Sequence, residues 1–269
     1  MTKVTIVGGL GGMGRFMGRL LSEAGHEVET ADIKSGPMDW TRVGKSEVVL
    51  LAVPVSSLEA VAAALGPESR PEGVVIDICS LKTAPVSAML KHCRGEVIGS
   101  HPLFGPNTEP LDGQVVFLCP ARTGPWLSWY KDFLAGLKLR IVEIEPVEHD
   151  RLMARIQVLR HLLLFAFGLS LSRLDFDPAR HLDYSGPWFN GLMDMLSHQI
   201  KQPPDLYVDL VRYNPEGEPV ISEFVRCVGE VARTMRTGDS RSVHQLMTGL
   251  KSYLARDERS RQDGRPADR

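Results

Sequence analysis

A glycine-rich loop near the amino terminus constrains the fold of this 269-residue chain more than any other feature. The loop reads VGGLGGMG, in which Gly9, Gly11 and Gly14 have the spacing G-x-G-x-x-G. An apolar strand pattern at 3–8 precedes it, and an amphipathic helix pattern follows to about Ala24. A strand, a tight glycine turn and a helix in this order are typical of dinucleotide-binding domains, where the helix amino terminus faces the pyrophosphate. The loop therefore predicts that the chain begins with such a domain and binds a dinucleotide.

Further apolar runs extend this beginning into an α/β fold. The runs are short, rich in valine and isoleucine and separated by helical stretches, which is typical of a parallel sheet covered on both faces. We predict a Rossmann-type, doubly wound parallel sheet as a dinucleotide-binding domain at 1–146. The predicted strands are 3–8, 27–30, 47–54, 73–79, 96–100, 114–120 and 139–146.

Strand patterns stop at residue 146, and helical patterns follow, broken at DFDP, SGPW, QPPD and NPEGEP. We predict an all-α dimerisation and substrate domain at 147–254 and a disordered, charged tail at 255–269. The apolar stretch LLLFAFGLSL from Leu162 is shorter than a membrane-spanning helix requires, so it predicts a buried helix. A helix with so little polar surface needs cover on every side, which a second subunit would supply. The sequence thus predicts a homodimer.

Composition argues against several classes of partner. The formal net charge is -2 and no basic face carries interleaved aromatic residues, so we expect neither a nucleic-acid nor a membrane partner. The eight histidines show no metal-ligand spacing, and we expect no metal. The amino terminus does not resemble a signal peptide, which predicts a cytoplasmic protein.

Asp32 follows the second predicted strand and points to the identity of the dinucleotide. A carboxylate at this position accepts hydrogen bonds from the adenosine ribose hydroxyls and repels a 2′-phosphate, so NAD is favoured over NADP. Lys34 is the one neighbouring residue that argues for the phosphate. Lys82 is open between a cofactor contact and a cap of the helix that follows it. The predicted cofactor-binding residues are Gly9, Leu10, Gly11, Gly12, Met13, Gly14, Asp32, Val53, Pro54 and Lys82.

Polar side chains follow two neighbouring strands where the ligand crevice of such a sheet lies. The segment DICSLKTAP leaves the fourth strand and carries Ser80, and GSHPLFGPN leaves the fifth and carries His101. Both fall at the carboxyl edge of the sheet, beside the expected hydride acceptor. Histidine is suited to general-base work because its pKa lies near neutral pH. We therefore predict His101 as a catalytic base on a turn stiffened by Pro102 and Pro106.

Several motifs occur together along nearly the whole chain. They are the glycine loop, D-x-x-S-x-K at 77–82, HPLFGP at 101–106, VEHD at 147–150, QVLRHLLLFAFG at 157–168 and PPDLYVDL at 203–210. On these motifs the chain resembles the prephenate dehydrogenases and their arogenate-using relatives. Members of this family oxidise C4 of a cyclohexadiene ring while a ring carboxylate leaves as CO₂. The resemblance implies a small-molecule cyclohexadiene dicarboxylate substrate and NAD-dependent oxidative decarboxylation of prephenate to 4-hydroxyphenylpyruvate.

The resemblance also implies roles for individual residues. His101 matches the base that takes the proton of the C4 hydroxyl, and Ser80 matches a serine that hydrogen-bonds the same hydroxyl and the histidine. His161 and Tyr207 match substrate-pocket positions, although a satisfied polar group and a core aromatic are the alternatives. The predicted substrate-binding residues are His161, His198, Tyr207, Arg160 and Asn107.

One position departs from the family pattern. The family usually carries a carboxylate-binding arginine nine residues before Tyr207, and this chain has His198 there. Losing such a charge-assisted bond costs about 2–3 kcal/mol. Either another cation compensates, with Arg160, Arg212 and Lys201 as candidates, or the substrate differs. 4-Amino-4-deoxyprephenate, which brings its own amine, is then the alternative substrate, and arogenate is the least favoured.

Two other functions stay open at this point. A β-hydroxyacid-type dehydrogenase on the same plan would place a lysine base on a long helix and would leave HPLFGP unexplained. A non-catalytic NAD-sensing protein would bind NAD without forming NADH and would be indifferent to a change of His101. The presence of both Ser80 and His101 favours an enzyme over a sensor.

Overall fold

The computed structural model describes residues 1–262, with side chains through residue 255, and has the predicted α/β sheet followed by helices. Within these residues the strands form a single sheet in the order β2-β1-β3-β4-β5-β6-β7. Each predicted apolar run overlaps one strand, and β2, β5 and β6 extend one or two residues beyond the predicted ends. The strands are β1 Lys3–Val7, β2 Glu27–Ala31, β3 Val48–Leu51, β4 Val74–Asp77, β5 Glu96–Pro102, β6 Val115–Arg122 and β7 Arg140–Glu143.

One strand pair departs from the predicted parallel sheet. β1 to β5 are parallel neighbours, and β6 and β7 are parallel to each other, but β5 and β6 are antiparallel. Residues 103–114 join β5 to β6 without a helix. A parallel neighbour requires a crossover, usually helical, whereas a direct connection returns the chain antiparallel to the strand it has left. The sheet is therefore parallel-dominated and not wholly parallel.

Helices cover both faces of the sheet, as the continuous apolar strands predict. In β3, Val48 and Leu50 pack in the layer that holds α1 and α5, and Val49 and Leu51 pack in the opposite layer with α3 and α4. All four side chains are buried, because successive residues of a strand point to opposite faces and both faces are covered. These helices are α1 Gly12–Glu23, α2 Trp40–Gly44, α3 Val55–Leu65, α4 Thr83–His92 and α5 Pro125–Gly136.

A continuous helix from Pro146 to Arg173 opens the helical part of the chain. Its middle is a π-helical turn, Ala154–Val158, which divides it into α6 and α7. Such turns place an extra residue in the helix and are frequent at functional sites. The helices that follow the sheet are α6 Pro146–Met153, α7 Leu159–Arg173, α8 Pro178–His181, α9 Pro187–Gln199, α10 Pro204–Arg212, α11 Gly217–Thr237 and α12 Ser240–Gln262.

The prediction that the apolar helix α7 is buried is wrong for the single chain. Among its residues Leu164 is buried, whereas the exposed fractions of Leu163, Phe165 and Leu169 are 46%, 38% and 52%. By length and composition alone, the helix Pro146–Arg173 could cross a membrane, and 22% of its most apolar window is buried. The sequence pattern identified an apolar helix correctly but could not say what covers it. Cover by a second subunit stays a prediction, as does the absence of a membrane partner.

The chain divides into two compact units, Met1–Glu218 and a second that begins at Pro219. The first contains the sheet, the helices through α10 and all the predicted site residues. The predicted boundary at 146/147 separates strands from helices and does not coincide with this division, so it stays a prediction. The predicted disordered tail at 255–269 falls partly on α12, which is helical to Gln262, and partly on 263–269, which lie outside the described residues.

Candidate active site

The glycine loop lines a cavity of about 720 Å³ at the carboxyl edge of the sheet. A Cβ atom on Gly14 would collide with the carbonyl oxygen of Gly8, so only glycine lets α1 begin this close to the loop. Gly11 is the N-cap of α1, and no side chain among the described residues caps this helix end. Its first N–H groups are therefore free to bind an anion such as a pyrophosphate.

Most of the predicted cofactor residues meet at this cavity. Gly9, Leu10 and Gly14 form the turn itself, and the remaining members of the loop face the opening. The predicted cofactor residues that line the cavity are Gly11, Gly12, Met13, Asp32, Val53 and Pro54.

α10 and the residues just before it form a further wall of the cavity, which the sequence analysis did not predict. Gln202, Asp205 and Asp209 line the cavity from this side. Asp209 Oδ2 accepts hydrogen bonds from the amide nitrogen of Ser56 at 3.4 Å and from its hydroxyl at 3.1 Å, at the amino terminus of α3. The helical part of the first unit is thereby tied to the sheet across the cavity.

Asp32 supports the loop and still has acceptor capacity. Its Oδ2 accepts from the amide nitrogen of Leu10 at 3.0 Å, and its Oδ1 accepts from that of Lys34 at 3.0 Å. Each carboxylate oxygen has two lone pairs, so both oxygens can accept a further bond from a ribose hydroxyl. A glycine cradle, an uncapped helix amino terminus and a carboxylate at the far end together fit a dinucleotide.

Lys82 lies away from the cavity. Its side chain is fully buried, and its Nζ donates to the Asp77 carboxylate and, at 2.7 Å, to the carbonyl oxygen of Ser100. Burial raises the pKa of Asp77, although the neighbouring Lys82 ammonium opposes that rise. Lys82 is also the N-cap residue of α4. A direct cofactor contact through Lys82 therefore finds no support in this geometry.

His101 lies inside a strand and not on the turn that the sequence predicts. β5 continues to Pro102, where His101 pairs with Phe117 of β6, and His101 is only 3% exposed. Its Nδ1 lies 2.9 Å from Nε2 of His149, and Nδ1 of His149 lies 2.8 Å from Oδ1 of Asp150. The three side chains form a buried line that starts on α6 and ends at the sheet edge.

The acceptor at one end of this line fixes the tautomers of both histidines. A carboxylate only accepts hydrogen bonds, so His149 carries its proton on Nδ1 and, as a neutral ring, accepts at Nε2. His101 must then donate its Nδ1–H to His149, which leaves a lone pair on Nε2 of His101. Asp150 is held in place by the amide nitrogens of Lys82 at 2.7 Å and Thr83 at 2.9 Å.

Burial and neighbouring polar groups determine which of these three side chains are ionised. Burial lowers the pKa of His101 well below its ordinary value, and repulsion from His149 and Lys82 lowers it further. Burial raises the pKa of Asp150, but hydrogen bonds from His149 and Thr83 outweigh this and hold it below its ordinary value. Asp150 is therefore ionised and His101 neutral near pH 7, so Nε2 of His101 is a proton acceptor.

Gln157 completes the surroundings of this nitrogen. It belongs to the π-helical turn, and its Nε2 lies 3.4 Å from Nε2 of His101. Its Oε1 is buried and has no hydrogen-bond partner among the described residues. An amide nitrogen facing the lone pair of His101 agrees with the tautomer derived above, because the amide nitrogen is a donor.

The predicted substrate residues separate into two groups. His161, Tyr207 and Arg160 meet: the His161 and Tyr207 rings pack edge to face with centroids 4.9 Å apart, and Arg160 Nη2 lies 3.3 Å from His161 Nε2. His198 and Asn107 are exposed and make no hydrogen bond to the site within the described part of the chain. The residue after His198, Gln199, is the one that points inward, with Oε1 2.7 Å from His161 Nδ1.

Ser80 is half-buried and lines the cavity, in agreement with a place near bound ligands. Its predicted hydrogen bond to His101 is not among the contacts of the described residues, so its catalytic role stays a prediction. Ser80 follows β4 and His101 lies near the end of β5, and the parallel pairing of Asp77 with Gly99 brings the two segments to one edge.

Sequence reasoning missed four polar residues of this site, and each had a signal. His149 and Asp150 lie in the VEHD motif, and Gln157 precedes His161 by four residues, which places both on one helix face. Gln199 adjoins the position at which an arginine was expected. Their roles depend on how α6, α7 and α9 pack, which a single sequence does not specify.

Two family models match the chain in succession. The nucleotide-binding domain of prephenate dehydrogenase matches residues 21–143, and the dimerization domain of prephenate dehydrogenase matches residues 145–249. A T-protein from Enterobacter agglomerans is 33% identical over 240 residues, which cover 89% of this chain and 64% of that protein. A 4-amino-4-deoxyprephenate dehydrogenase from Streptomyces pristinaespiralis is 25% identical over 270 residues, 94% of this chain and 91% of that protein.

The fold is shared with solved structures. Prephenate dehydrogenase from A. aeolicus, crystallised with hydroxyphenyl propionate and NAD⁺, has a TM-score of 0.70 at 20% identity and covers 98% of each chain. Synechocystis arogenate dehydrogenase has a TM-score of 0.68 at 19% identity, over 94% of this chain and 99% of that one. The chain spans 64%, 59% and 63% of the length of three curated relatives that it matches.

Proposed function

The chain belongs to the prephenate dehydrogenase family, and from this premise we propose that it oxidatively decarboxylates a prephenate-type cyclohexadiene with NAD, converting prephenate to 4-hydroxyphenylpyruvate. The observation that carries the proposal is the line from Asp150 through His149 to His101, because it leaves a proton acceptor on Nε2 of His101. Ser80, which follows the strand next to that histidine, lines the cavity of the glycine loop.

The residues divide the work of the reaction. Nε2 of His101 accepts the proton of the C4 hydroxyl, and the positive charge that forms on its ring is shared with His149 and stabilised by Asp150. The glycine loop and Asp32 would hold NAD, which would supply the hydride acceptor for C4. Burial excludes water from His101, which strengthens these interactions. The loss of the ring carboxylate is driven by aromatisation of the ring.

A second substrate, 4-amino-4-deoxyprephenate, has a specific observation in its favour. Gln157 lies beside Nε2 of His101 and keeps a buried acceptor, Oε1, without a partner among the described residues. A C4 amine offers more than one N–H and can donate to both His101 and Gln157, whereas a hydroxyl offers a single O–H. The full-length similarity to a 4-amino-4-deoxyprephenate dehydrogenase supports the same alternative.

The test is NADH formation by the purified protein with NAD and either substrate, with His101→Asn as the matched variant. We expect NADH from the preferred substrate and a loss of roughly 10²- to 10⁴-fold in kcat for His101→Asn. If the amine is the natural C4 group, Gln157→Leu should lower kcat/KM more with the amino substrate than with prephenate. NAD binding without NADH from any cyclohexadiene would contradict the proposal and favour a sensor.

We also propose that the protein is a homodimer that buries the exposed apolar side of α7. The dimerization-domain match and the exposure of Leu163 and Leu169 support this. A molecular mass of about twice 29.7 kDa by light scattering is expected, and Leu169→Glu should shift it toward the monomer. A monomeric wild-type protein at micromolar concentration would overturn the proposal.

A further inference from the structure

Four residues near the line from Asp150 through His149 to His101 form an unbroken series of contacts. The hydroxyl of Tyr207 donates to the backbone carbonyl oxygen of Gln199 at 2.5 Å, and its ring packs against the His161 ring. Gln199 is 6% exposed and bonds His161 twice, and His161 in turn meets Arg160. The series runs from α10 through α9 to α7.

The amide of Gln199 has only one possible orientation. Its Nε2 lies 3.0 Å from the backbone carbonyl oxygen of His161, which accepts and cannot donate. The Oε1 atom therefore faces Nδ1 of His161, 2.7 Å away. An amide oxygen is also only an acceptor, so Nδ1 of His161 must carry a proton.

The other nitrogen of His161 faces a group that can only donate. Nη2 of Arg160 lies 3.3 Å from Nε2 of His161, and a guanidinium has no acceptor. Nε2 therefore carries the lone pair, and the ring is neutral. Burial lowers the pKa of His161, and the charge of Arg160 acts in the same direction. The two neighbours thus select the same tautomer independently.

Arg160 is the end of the series and is available to a ligand. Its side chain is exposed, and within the described residues it has no carboxylate partner. Within the described residues its side-chain hydrogen bond is the one to His161, and this contact orients the guanidinium. A fixed guanidinium with free donors is suited to bind a carboxylate.

One continuous helix carries both the residue that contacts the base and this guanidinium. Gln157, which contacts Nε2 of His101, precedes His161 by four residues on the same helix. Four residues rise roughly 6 Å along a helix and return to the same face. A six-membered ring with its C4 substituent at His101 would therefore present its C1 end toward Arg160.

We propose that Gln199 is a positioning residue that fixes His161 as a hydrogen-bond acceptor and thereby aims Arg160 at a carboxylate carried at the C1 end of the substrate. The inference rests on the proposed function for the identity of the ligand, but the tautomer of His161 does not depend on it. Prephenate and its 4-amino analogue both carry the carboxylate in question.

The tautomer is measured directly by nitrogen NMR of the histidine rings in the full chain, with His161→Gln used to assign the signal. Wild-type protein should show His161 protonated at Nδ1 and unprotonated at Nε2 at neutral pH. In Gln199→Met the share of the Nε2–H form should rise, because of the two neighbours only Arg160 then still favours the Nδ1–H tautomer. A wild-type His161 protonated at Nε2 overturns the inference, whatever the enzyme turns over.

Steady-state kinetics test the link to Arg160. Arg160→Gln should raise KM roughly 30-fold or more, and Gln199→Met about tenfold, with kcat within about twofold for both. The double variant should be no worse than Arg160→Gln, because both changes remove the same contact. Arg173→Gln on α7 and Gln245→Met on α12 are matched controls, since both side chains are exposed and far along the chain from the site.

The two levels of the argument fail in different ways. An additive double variant, or an unchanged KM in Arg160→Gln while His101→Asn is inactive, would contradict the inference and leave the proposed function intact. Absence of NADH from both substrates would contradict the proposed function, and the NMR result would still decide the tautomer.

Discussion

Nδ1 of His101 lies 2.9 Å from Nε2 of His149, and this contact gives each nitrogen of His101 a separate task. The inner nitrogen donates to His149, and the outer nitrogen keeps a lone pair, which accepts the substrate proton in the proposed reaction. The direction of the line is set by Asp150, whose carboxylate can only accept. A buried carboxylate thereby determines the protonation of a base two side chains away.

Changing His149 should separate this directing role from packing. His149→Leu removes the acceptor for His101 and the hydrogen bond from His149 to Asp150, so we expect kcat to fall roughly 10²-fold. His149→Gln keeps an acceptor and a donor and should recover part of that loss. NADH formation is the measurement, and NAD affinity should stay unchanged in both variants.

Equal activity of His149→Leu and the wild-type protein would show that His101 does not depend on this contact. Circular dichroism and thermal melting of both variants control for folding, because His149 is fully buried. A leucine variant that folds and is inactive, beside a glutamine variant that folds and is partly active, is the expected pattern.

The acid limb of kcat/KM should lie below pH 6.5 when prephenate is the substrate. His101 works as a base only in its neutral form, and burial lowers its pKa well below the ordinary histidine value of about 6.5. A lowered pKa keeps the neutral form populated at a more acidic pH, so activity persists as pH falls through 6.5. The substrate carboxylates titrate at still lower pH. A limb centred at or above 6.5 would mean that the base is solvated in the working enzyme.

The sheet was predictable because its signals are local. Each strand is a short apolar run, and the glycine loop carries its own turn and helix start, so β1 to β7 and α1 followed from neighbouring residues. The antiparallel direction of β6 was not predicted, because the segment 103–114 has the composition of a loop whether the strand after it is parallel or antiparallel. The exposure of α7 was missed because an apolar pattern does not distinguish cover by the same chain from cover by another.

Sheet topology predicted the place of part of the candidate site, whose catalytic roles stay predictions. Ser80 and His101 lie at the edge of the sheet by topology, and Asp32 follows from the glycine loop. Gln199 and His149 act through packing between distant elements, which their own neighbours in sequence do not encode. The expectation for His198 assumed that an aligned position keeps its direction, whereas α9 turns Gln199 inward instead.

Asp32→Asn should weaken NAD binding about tenfold and should reduce the ratio of NAD affinity to NADP affinity. The amide replaces one acceptor oxygen by a donor, so it loses either the Leu10 contact or a ribose hydroxyl, and it no longer repels a phosphate. Binding of NAD and NADP is measured by fluorescence quenching or calorimetry. Asp39→Asn, which caps α2 and lies outside the main cavity, is the control. An unchanged NAD affinity would exclude Asp32 as a ribose ligand.

Lys82→Met should destabilise the protein by about 3–5 kcal/mol, because it leaves the Asp77 carboxylate buried without its ion-pair partner. Urea unfolding measures the change, and the double variant Asp77→Leu/Lys82→Met should recover part of the loss because neither charge then remains buried. Lys91→Met, which breaks the exposed pair with Glu59, should change stability little, since that pair is screened by solvent. A Lys82→Met protein of unchanged stability but weaker NAD binding would instead assign this lysine to the cofactor.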